Sequence, residues 1–490
     1  MMFAMRGICA CIYLFMRRMA ARWCLVGILI LMVPTRSSPY SLLTHEQIID
    51  LTWDDAIVPL LLSRYPNATP AQLEQARSYA YGGCVIQDIG YYPFGKVQFS
   101  NLTHYVRSGD FVVNLFRNAR DLNELAFAVG ALSHYIGDSI GHPLATNLAV
   151  PLEFPKLHQK YGNRVNYAEG KSQHVRTEFA FDIEEDVHQR TAPIRYLRHI
   201  GLQLSTRQLS LAYYQTYGIS ANFSGLRGGR VNDTAYRFAV RSFIPSIADA
   251  LVLLHRKHEP PDLDTPEAQA LSGEVAAMAA ANDWVRYRTK PGFRLWLLAG
   301  IIKIMPKIGP LKLAAVKGPT PQAEADYVHS LALATAAMRR MLWRFTPPDK
   351  RRSPPMLPGP AGQAEQPSNE LAQSRRANAV SETRMDPRHP LPNRDLDTGN
   401  EVEPGGYPLT DETYVSLLHA LASQPNLTIP PGIKQDIQAY FAHADAPITI
   451  KKHPQRWAQV QKDLVTLNSM PTSPVPEAVP TYESGTDEAP

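Results

Sequence analysis

Histidine and carboxylate side chains recur at helical spacing in the first half of this 490-residue chain. Between Leu132 and Pro143, the residues His134, Asp138 and His142 follow one another at four-residue intervals, so on a helix they share one face. With this composition, about 0.04 such windows would arise by chance. Zinc prefers imidazole and carboxylate donors where thiolates are absent, and the central carboxylate can bridge two cations. The pattern predicts a metal site, and the alternative is a buried polar network without metal.

Further candidate ligands lie on either side of this motif. His174 and Glu178 repeat the four-residue spacing, which is common on helix surfaces, but beside His142 they would complete a tetrahedral site. Asp88 and His104 lie upstream, where an isolated aspartate is usually a cap or salt-bridge partner and an isolated histidine usually structural. The polar residues that follow Glu178 are interpreted as solvated: Glu184, Glu185, Asp186 and His188.

The composition limits the classes of protein that fit. A formal charge of +5, from 50 basic and 45 acidic residues, gives no electrostatic case for a dedicated nucleic-acid partner. Three of the four cysteines precede residue 25, so a processed chain would keep only Cys84. Neither an intramolecular disulfide nor a thiolate zinc site is then expected, and any metal must be held by imidazoles and carboxylates.

The first 39 residues have the pattern of an export signal. Basic residues precede an apolar run from Trp23 to Val33, and small polar residues follow it, which is typical of a cleaved signal peptide. We therefore expect an exported protein, periplasmic or secreted. The alternative is an uncleaved signal that anchors the chain in the membrane, although the apolar runs are short for a spanning helix.

Helical periodicity dominates the rest of the chain, and the sequence predicts an all-α fold. Residues 40–345 are predicted to form one large helical domain, in which Pro143, Pro151 and Pro155 end one helix and mark a loop. Residues 346–407, rich in proline and polar residues, are predicted to be a disordered linker. A small helical unit at 411–470 and a disordered tail at 471–490 complete the chain. His419, His443 and His453 in that unit lack ligand spacing and are predicted to lie on the surface.

Taken together, these motifs resemble the zinc-dependent phospholipase C family, which shares its fold with single-strand-specific zinc nucleases. The resemblance covers roughly residues 40–190 in motifs, and it implies a helical domain that holds two or three zinc ions. It assigns the following ligands: Asp88, His104, His134 and Asp138 to one zinc; His142, His174 and Glu178 to a second; His45, with Asp138 bridging, to a third.

The third of these sites departs from the family pattern. Family members also use the amino group and carbonyl of the mature N-terminal residue there, and Tyr40 lies in the matching place, five residues before His45. Proline is a poor residue at a cleaved bond, so Pro39 puts processing at Tyr40 in doubt. Of the eight ligands that the resemblance implies, His45 is therefore the one with the weakest support.

The resemblance implies a metal-dependent phosphodiester hydrolase, in which cations neutralise the charge that develops on phosphate and supply an activated water. Asp88 is the candidate general base or orienter of that water. We expect a phospholipase C acting on glycerophospholipids at a membrane surface. The alternatives are a single-strand-specific nuclease, with Tyr91, Tyr92 and Tyr105 as stacking residues, and a non-catalytic module stabilised by zinc.

One further helical stretch bears on the choice of substrate. From Phe293 to Lys317, leucine, isoleucine and tryptophan side chains occur together with four lysines. Such a helix can rest on an anionic membrane surface, or it can be a core helix with solvated lysines.

Overall fold

The computed structural model describes residues 42–91, 95–220, 244–255, 264–288, 292–304, 318–347, 390–443 and 445–473. In these ranges the regular structure is helical, and extended pairing is confined to two isolated bridges. The predicted all-α fold is therefore confirmed. The predicted export signal and the tail from residue 474 onward lie outside the described residues. Within the ranges above, no helix is both long and apolar enough to cross a bilayer.

Nineteen α-helices, with short π and 3-10 turns between some of them, make up the described part of the chain. The α-helices are α1 Leu42–Thr52, α2 Val58–Arg64, α3 Pro70–Cys84, α4 Val97–Tyr105, α5 Ser108–Asn118, α6 Leu122–Gly141, α7 Asn147–Glu153, α8 Pro155–Tyr161, α9 Tyr167–Val187, α10 Ile194–Ile200, α11 Thr206–Tyr217, α12 Ile244–His255, α13 Pro266–Ala281, α14 Trp284–Tyr287, α15 Phe293–Ile304, α16 Pro321–Phe345, α17 Pro408–Ala422, α18 Pro431–Ala442 and α19 Pro454–Ser469. The turns are the π turns Trp53–Ile57 and His142–Thr146 and the 3-10 turns Ile86–Gly90 and Thr449–Lys452.

Helix α6 lies at the centre and contacts α1, α3, α5 and α16. It begins where the Asp121 side chain accepts a hydrogen bond from the backbone N–H of Glu124, a favourable N-cap. From Ala126 to Ser139 every side chain is buried, and a helix that is surrounded by protein on all sides can hold polar groups only if they have partners. The central helix of the fold is thus also the helix that carries the His134–Asp138 motif.

Two glycines allow α3 and α6 to approach each other closely. A Cβ at Gly83 would collide with the carbonyl oxygen of Phe127, and a Cβ at Gly130 would collide with the carbonyl oxygen of Ala80. These collisions are with backbone atoms, which cannot turn aside as a side chain can. The glycines therefore set the distance between α6 and the turn after α3, which carries Asp88.

The chain after α6 is helical where the sequence predicted a loop. The π turn His142–Thr146 contains Pro143, α7 contains Pro151, and Pro155 is the first residue of α8. The interpretation of these prolines as a helix end and a loop was therefore wrong. Proline lacks an N–H and clashes with the preceding turn, but a π turn and the first turn of a helix both tolerate it.

The C-terminal unit is built into the same core as the first helices. Leu417, Leu418 and Ile433 belong to the apolar cluster that also contains Leu132 and Phe127 of α6. Helix α17 contacts α4, and α18 contacts α11. His419, His443 and His453 are exposed, as the sequence predicted.

Residues 390–407 differ from the disordered linker that the sequence predicted for 346–407. In this range Leu391, Leu396, Asp397 and Tyr407 are buried. Tyr135 donates a hydrogen bond from its hydroxyl to the carbonyl of Pro392 at 2.7 Å. Proline and polar composition suggested disorder, but the few apolar residues here find a place on the main helices. Residues 348–389, the larger part of the predicted linker, lie outside the described residues.

Candidate metal centre

All eight residues predicted to bind metal come together around α6. His45 is on α1, Asp88 in the 3-10 turn after α3, His104 near the end of α4, His134 and Asp138 on α6, His142 at the start of the π turn, and His174 and Glu178 on α9. Seven of these residues are fully buried, and Glu178 is 2% exposed. The chain thus gathers five imidazoles and three carboxylates where no solvent reaches them.

The first group consists of Asp88, His104 and His134. The Nε2 atoms of the two histidines are 3.4 Å apart, and His104 Nε2 lies 3.3 Å from Asp88 Oδ1. His134 Nε2 lies 3.9 Å from the same oxygen. Donors bound to one tetrahedral zinc at about 2.0–2.1 Å are roughly 3.3–3.4 Å apart, so this spacing fits a shared cation.

Asp138 lies between the groups, as its central place in the motif predicted. Its Oδ2 is 3.1 Å from His134 Nε2 and 3.4 Å from His104 Nε2. Its Oδ1 is 3.4 Å from His45 Nε2 and 3.7 Å from His142 Nε2. The two oxygens therefore face different imidazoles, which is the arrangement that a bridging carboxylate requires.

A further group of predicted ligands consists of His142, His174 and Glu178. Glu178 Oε1 lies 3.1 Å from His142 Nε2 and 2.9 Å from His174 Nε2. The ring centroids of the two histidines are 5.1 Å apart, with the rings nearly perpendicular. The helical spacing of His174 and Glu178 thus brings both to one side of α9, opposite the start of the π turn.

His45 is placed by contacts of α1 with α9 and α6. Asp182 accepts hydrogen bonds from the backbone N–H groups of Leu43 and Thr44, each at 3.0 Å, and so caps the N-terminus of α1. A Cβ at Gly137 would lie 3.0 Å from Ile48 Cδ1 and 3.5 Å from His45 Nδ1, so α1 packs directly against α6 beside the imidazole. Tyr40, which lies in the place of the family's N-terminal ligand, is outside the described residues.

The outward-facing nitrogens of three of the histidines are held by backbone carbonyls. His104 Nδ1 lies 2.7 Å from Ser100 O, and His134 Nδ1 lies 2.8 Å from Cys84 O. His142 Nδ1 lies 3.0 Å from the carbonyl of Leu396. A carbonyl can only accept, so each Nδ1 carries a proton and each Nε2 is directed inward, where it can bind a cation once it holds no second proton.

The eight buried nitrogen and oxygen donors around α6 are suited to bind a cation. The oxygens of Asp88, Asp138 and Glu178 and both ring nitrogens of His174 accept or donate no hydrogen bond of normal geometry among the described residues. Buried carboxylates without donors are strongly unfavourable unless a positive charge compensates them. The donor set, nitrogen and oxygen without sulfur, suits zinc, because the one cysteine nearby, Cys84, contributes its carbonyl to His134.

The pKa shifts in the metal-free site have the same origin. Burial alone would lower the pKa of His104, but the carboxylates of Asp138 and Asp88, 3.4 and 3.3 Å from its Nε2, outweigh burial and raise this pKa to about 10. Burial raises the pKa of Asp88 to about 6, against the opposing effect of His134 and His104. Burial likewise opposes ionisation of Asp138, yet the surrounding imidazoles hold its pKa well below the usual range. Charge is thus concentrated on Asp138, between the groups.

Sequence reasoning missed the contribution of the C-terminal segment. The Leu396 carbonyl contacts His142, and Asp397 Oδ1 lies 3.5 Å from the same His142 Nδ1. These residues are more than 250 positions from His142, inside a range predicted to be disordered. No spacing rule connects them with the motif; the sequence signal nearest to one is the Asp-x-Asp pair of Asp395 and Asp397.

The residues interpreted as solvated after Glu178 are in fact buried. Glu184, Glu185 and Asp186 are each exposed by 8% or less. Glu185 accepts hydrogen bonds from Gln47 and Arg190, and Glu184 accepts one from His188 at 3.0 Å. The interpretation failed because α9 is enclosed by α1, α12 and other helices, and ion pairing satisfies its charges.

The tyrosines proposed as a stacking platform are also buried. Tyr105 is fully buried and donates its hydroxyl to Asp397 Oδ2 at 2.9 Å. Tyr91 is 3% exposed, and its ring centroid is 5.4 Å from that of His104. Tyr92 lies outside the described residues. Neither described ring offers a free face to a base.

An all-helical domain that encloses histidines and carboxylates in this way defines a candidate metal-dependent hydrolase. Residues 44–223 match the family model described as zinc dependent phospholipase C. This match identifies residues 44–223 with the zinc-dependent phospholipase C family, as the motifs indicated, and it supports a phospholipase C-like hydrolase at the level of that family. No curated protein and no protein of solved structure shows a significant match to the chain.

Proposed function

We propose that the protein is a zinc-dependent phosphodiester hydrolase that cleaves glycerophospholipids in the manner of a phospholipase C. The observation that carries this proposal is the convergence of eight buried donors in which the carboxylates of Asp88, Asp138 and Glu178 lack hydrogen-bond donors. Zinc held by these residues would supply Lewis acidity toward phosphate oxygens and an activated water. The family to which the domain belongs supports this chemistry.

The protein's own residues have distinct tasks in this proposal. Asp138 holds the groups together, since its two oxygens face different imidazoles. The carbonyls of Ser100, Cys84 and Leu396 fix the ring orientations of His104, His134 and His142. Asp88 is the candidate for holding or accepting the proton of the attacking water, because burial raises its pKa to about 6 in the metal-free site. Replacing Asp88 with Asn should remove activity by at least about 100-fold, and a variant that kept both its zinc and full activity would refute this role.

An exposed apolar face on α15 supports a lipid substrate. Phe293 is 80% exposed, Trp296 49% and Leu297 46%, and Lys303 is exposed on the same helix. The opposite face of α15 is buried through Ala299 and Ile302, which join a small core with α9 and α12. Aromatic side chains beside a lysine suit the interface of an anionic bilayer. Residues 305–317 of the predicted helix lie outside the described residues.

A non-catalytic, zinc-stabilised module is the second candidate, and one observation favours it. Every predicted ligand is buried to 2% exposure or less, whereas a catalytic zinc keeps one coordination position open to water or substrate. Hydrolysis in this protein would therefore need a movement that admits substrate. The burial of Tyr91 and Tyr105 removes the feature that had favoured the nuclease alternative.

Metal content and activity together test the proposal. Purified chain should contain two or three zinc ions, and the H134A/H142A double variant should lose most of them. The same preparations are assayed for release of phosphorylated head groups from phosphatidylcholine vesicles and for cleavage of single-stranded DNA. A suitable control is H453A, because His453 is an exposed histidine far from the ligand motifs.

The outcomes separate the three functions. Zinc with head-group release, both lost in H134A/H142A and kept in H453A, supports the phospholipase. Zinc with DNA cleavage alone would replace it with the nuclease. Zinc whose loss lowers the melting temperature, with neither activity at any zinc concentration, would leave the stabilised module. Protein that binds no zinc in zinc-replete buffer would overturn all three.

A further inference from the structure

The segment around Asp397 reaches the metal centre from outside the part of the chain that matches the family. The match ends at residue 223, whereas Asp397 is fully buried against His142. The backbone N–H of Leu396 donates to the carbonyl of His104 at 3.1 Å, and Asn147 donates from its side chain to the carbonyl of Asp397 at 2.8 Å. The segment is thus anchored to α4 and α7 on either side of His142.

Two phenols hold the Asp397 carboxylate in one orientation. Tyr105 and Tyr407 donate to its Oδ2 at 2.9 and 2.6 Å. Its Oδ1 makes no hydrogen bond of normal geometry, and the nearest group of opposite charge is the imidazole of His142, with Nδ1 3.5 Å away. A buried carboxylate that receives only two neutral donors on one oxygen needs a positive charge near the other.

His142 connects this carboxylate to the inner donors. Its Nε2 faces Glu178 and Asp138, while its Nδ1 faces Leu396 O and Asp397. When an imidazole binds a cation through Nε2, its Nδ1–H becomes more acidic. An anion beside Nδ1 then attracts this proton, which makes Nε2 a stronger donor to the cation. His104 and His134 instead have a neutral carbonyl beside Nδ1.

We propose that Asp397 is a positioning residue of the metal centre, which orients His142 and strengthens cation binding by the group His142, His174 and Glu178. The loop that carries Asp397 has a conformation that holds this residue beside His142. Gly399 has φ +72°, and a Cβ there would collide with the backbone of Ser139 on α6. Asp395 closes the turn by accepting the backbone N–H of Asp397 at 2.9 Å. This inference rests on the proposed zinc centre.

The variant that tests the proposal is D397N. Asparagine keeps the shape and an acceptor for the tyrosines but removes the negative charge. Zinc affinity is measured by competition with a chromogenic chelator, and the site is followed by the visible spectrum of the cobalt-substituted protein. We expect D397N to bind its weakest-held zinc 10- to 100-fold less tightly and to show an altered cobalt spectrum. Y407F, which removes one of the two donors, should have a smaller effect in the same direction.

The matched control is D463N. Asp463 accepts a hydrogen bond from His419 Nδ1 at 3.0 Å on the exposed side of the C-terminal unit, so it is an Asp–His pair without metal. It should leave zinc affinity and the cobalt spectrum unchanged. The melting temperature of the metal-free protein separates positioning from mere structure: a structural role would lower it in D397N, whereas a positioning role lowers mainly the zinc-bound melting temperature.

Each result decides the matter. Reduced zinc affinity and a shifted cobalt spectrum in D397N, with metal-free stability like that of the wild type, support the inference. A wild-type protein that binds zinc together with a D397N variant of equal affinity would overturn it and leave the proposed function standing. A wild-type protein that binds no zinc would overturn both.

Discussion

The protonation of His104 and His142 ties cation uptake to pH. Burial lowers the pKa of each, but the carboxylates around them outweigh burial and raise both, that of His104 to about 10. At pH 7 the metal-free site therefore keeps protons on these imidazoles, and a cation that binds through Nε2 must displace them. We expect about two protons to be released per chain on zinc binding at pH 7, and zinc affinity to fall as the pH is lowered. Titration calorimetry in buffers of different ionisation enthalpy measures the released protons; uptake of zinc without proton release would contradict the prediction.

The residues that carry a spacing signal were the ones that sequence could predict. His134, Asp138 and His142 share one helical face by spacing, and His174 and Glu178 repeat that spacing. The resemblance added His45 and strengthened the assignment of Asp88 and His104. The structure brings all eight together, while ligation itself stays a prediction. Asp397 had no such signal, because its contact with His142 joins two distant parts of the chain. Glu184 and Glu185 were misread because side-chain polarity alone does not show that neighbouring helices enclose them.

The close approach of α3 and α6 requires glycine at two helical positions, and substitution tests this requirement. G83A and G130A should each lower the free energy of unfolding by about 1–3 kcal/mol or more, because the added methyl group meets backbone carbonyls. They should also lower zinc content, since the crossing sets the distance between Asp88 and His134. The control is G273A on α13, where nothing lies near the added methyl group; it should stabilise the helix by about 0.5–1 kcal/mol. Denaturant unfolding measures all three, and a G83A variant as stable as G273A would show that the helices can separate at no cost.

Helix positions followed from periodicity, and helix ends did so less well. Helices α6 and α9 agree with the predicted all-α fold, because apolar residues recur there at helical intervals. The loop expected at Pro143 is a π turn instead. Its geometry depends on packing against α7 and α16, which a local reading of proline does not include.

Among the described residues, helix α15 exposes an apolar face formed by Phe293, Trp296 and Leu297. This face predicts that the molecule binds to membranes. F293S/W296S should reduce partitioning onto vesicles of phosphatidylglycerol and phosphatidylcholine at least tenfold, since about 1.4 kcal/mol of lost apolar burial suffices for that factor. Activity on a short-chain, soluble substrate should not change. V465S removes an exposed apolar side chain on α19 and serves as the control. Sedimentation with vesicles measures the partitioning; equal loss in both variants would show that the face has no special role.

Sequence patterns predicted that the chain is helical but did not predict how the segment 390–407 packs. Residues rich in proline and polar side chains suggested a linker up to 407, yet residues 390–407 lie against α4 and α6. A few apolar side chains, such as Leu391 and Leu396, suffice to hold such a segment once a groove exists for them. Sequence composition has no information about that groove.

Because Asp397 lies late in the sequence, it is synthesised well after the predicted metal ligands. Glu178 is the last of the eight predicted ligands, and Asp397 follows it by 219 residues (397 − 178). At about 5–20 residues per second, synthesis of that stretch takes roughly 10–45 s. During this interval His142 lacks the carboxylate that lies beside its Nδ1 in the complete chain. A cation bound during this interval would therefore lack the support that we propose for Asp397.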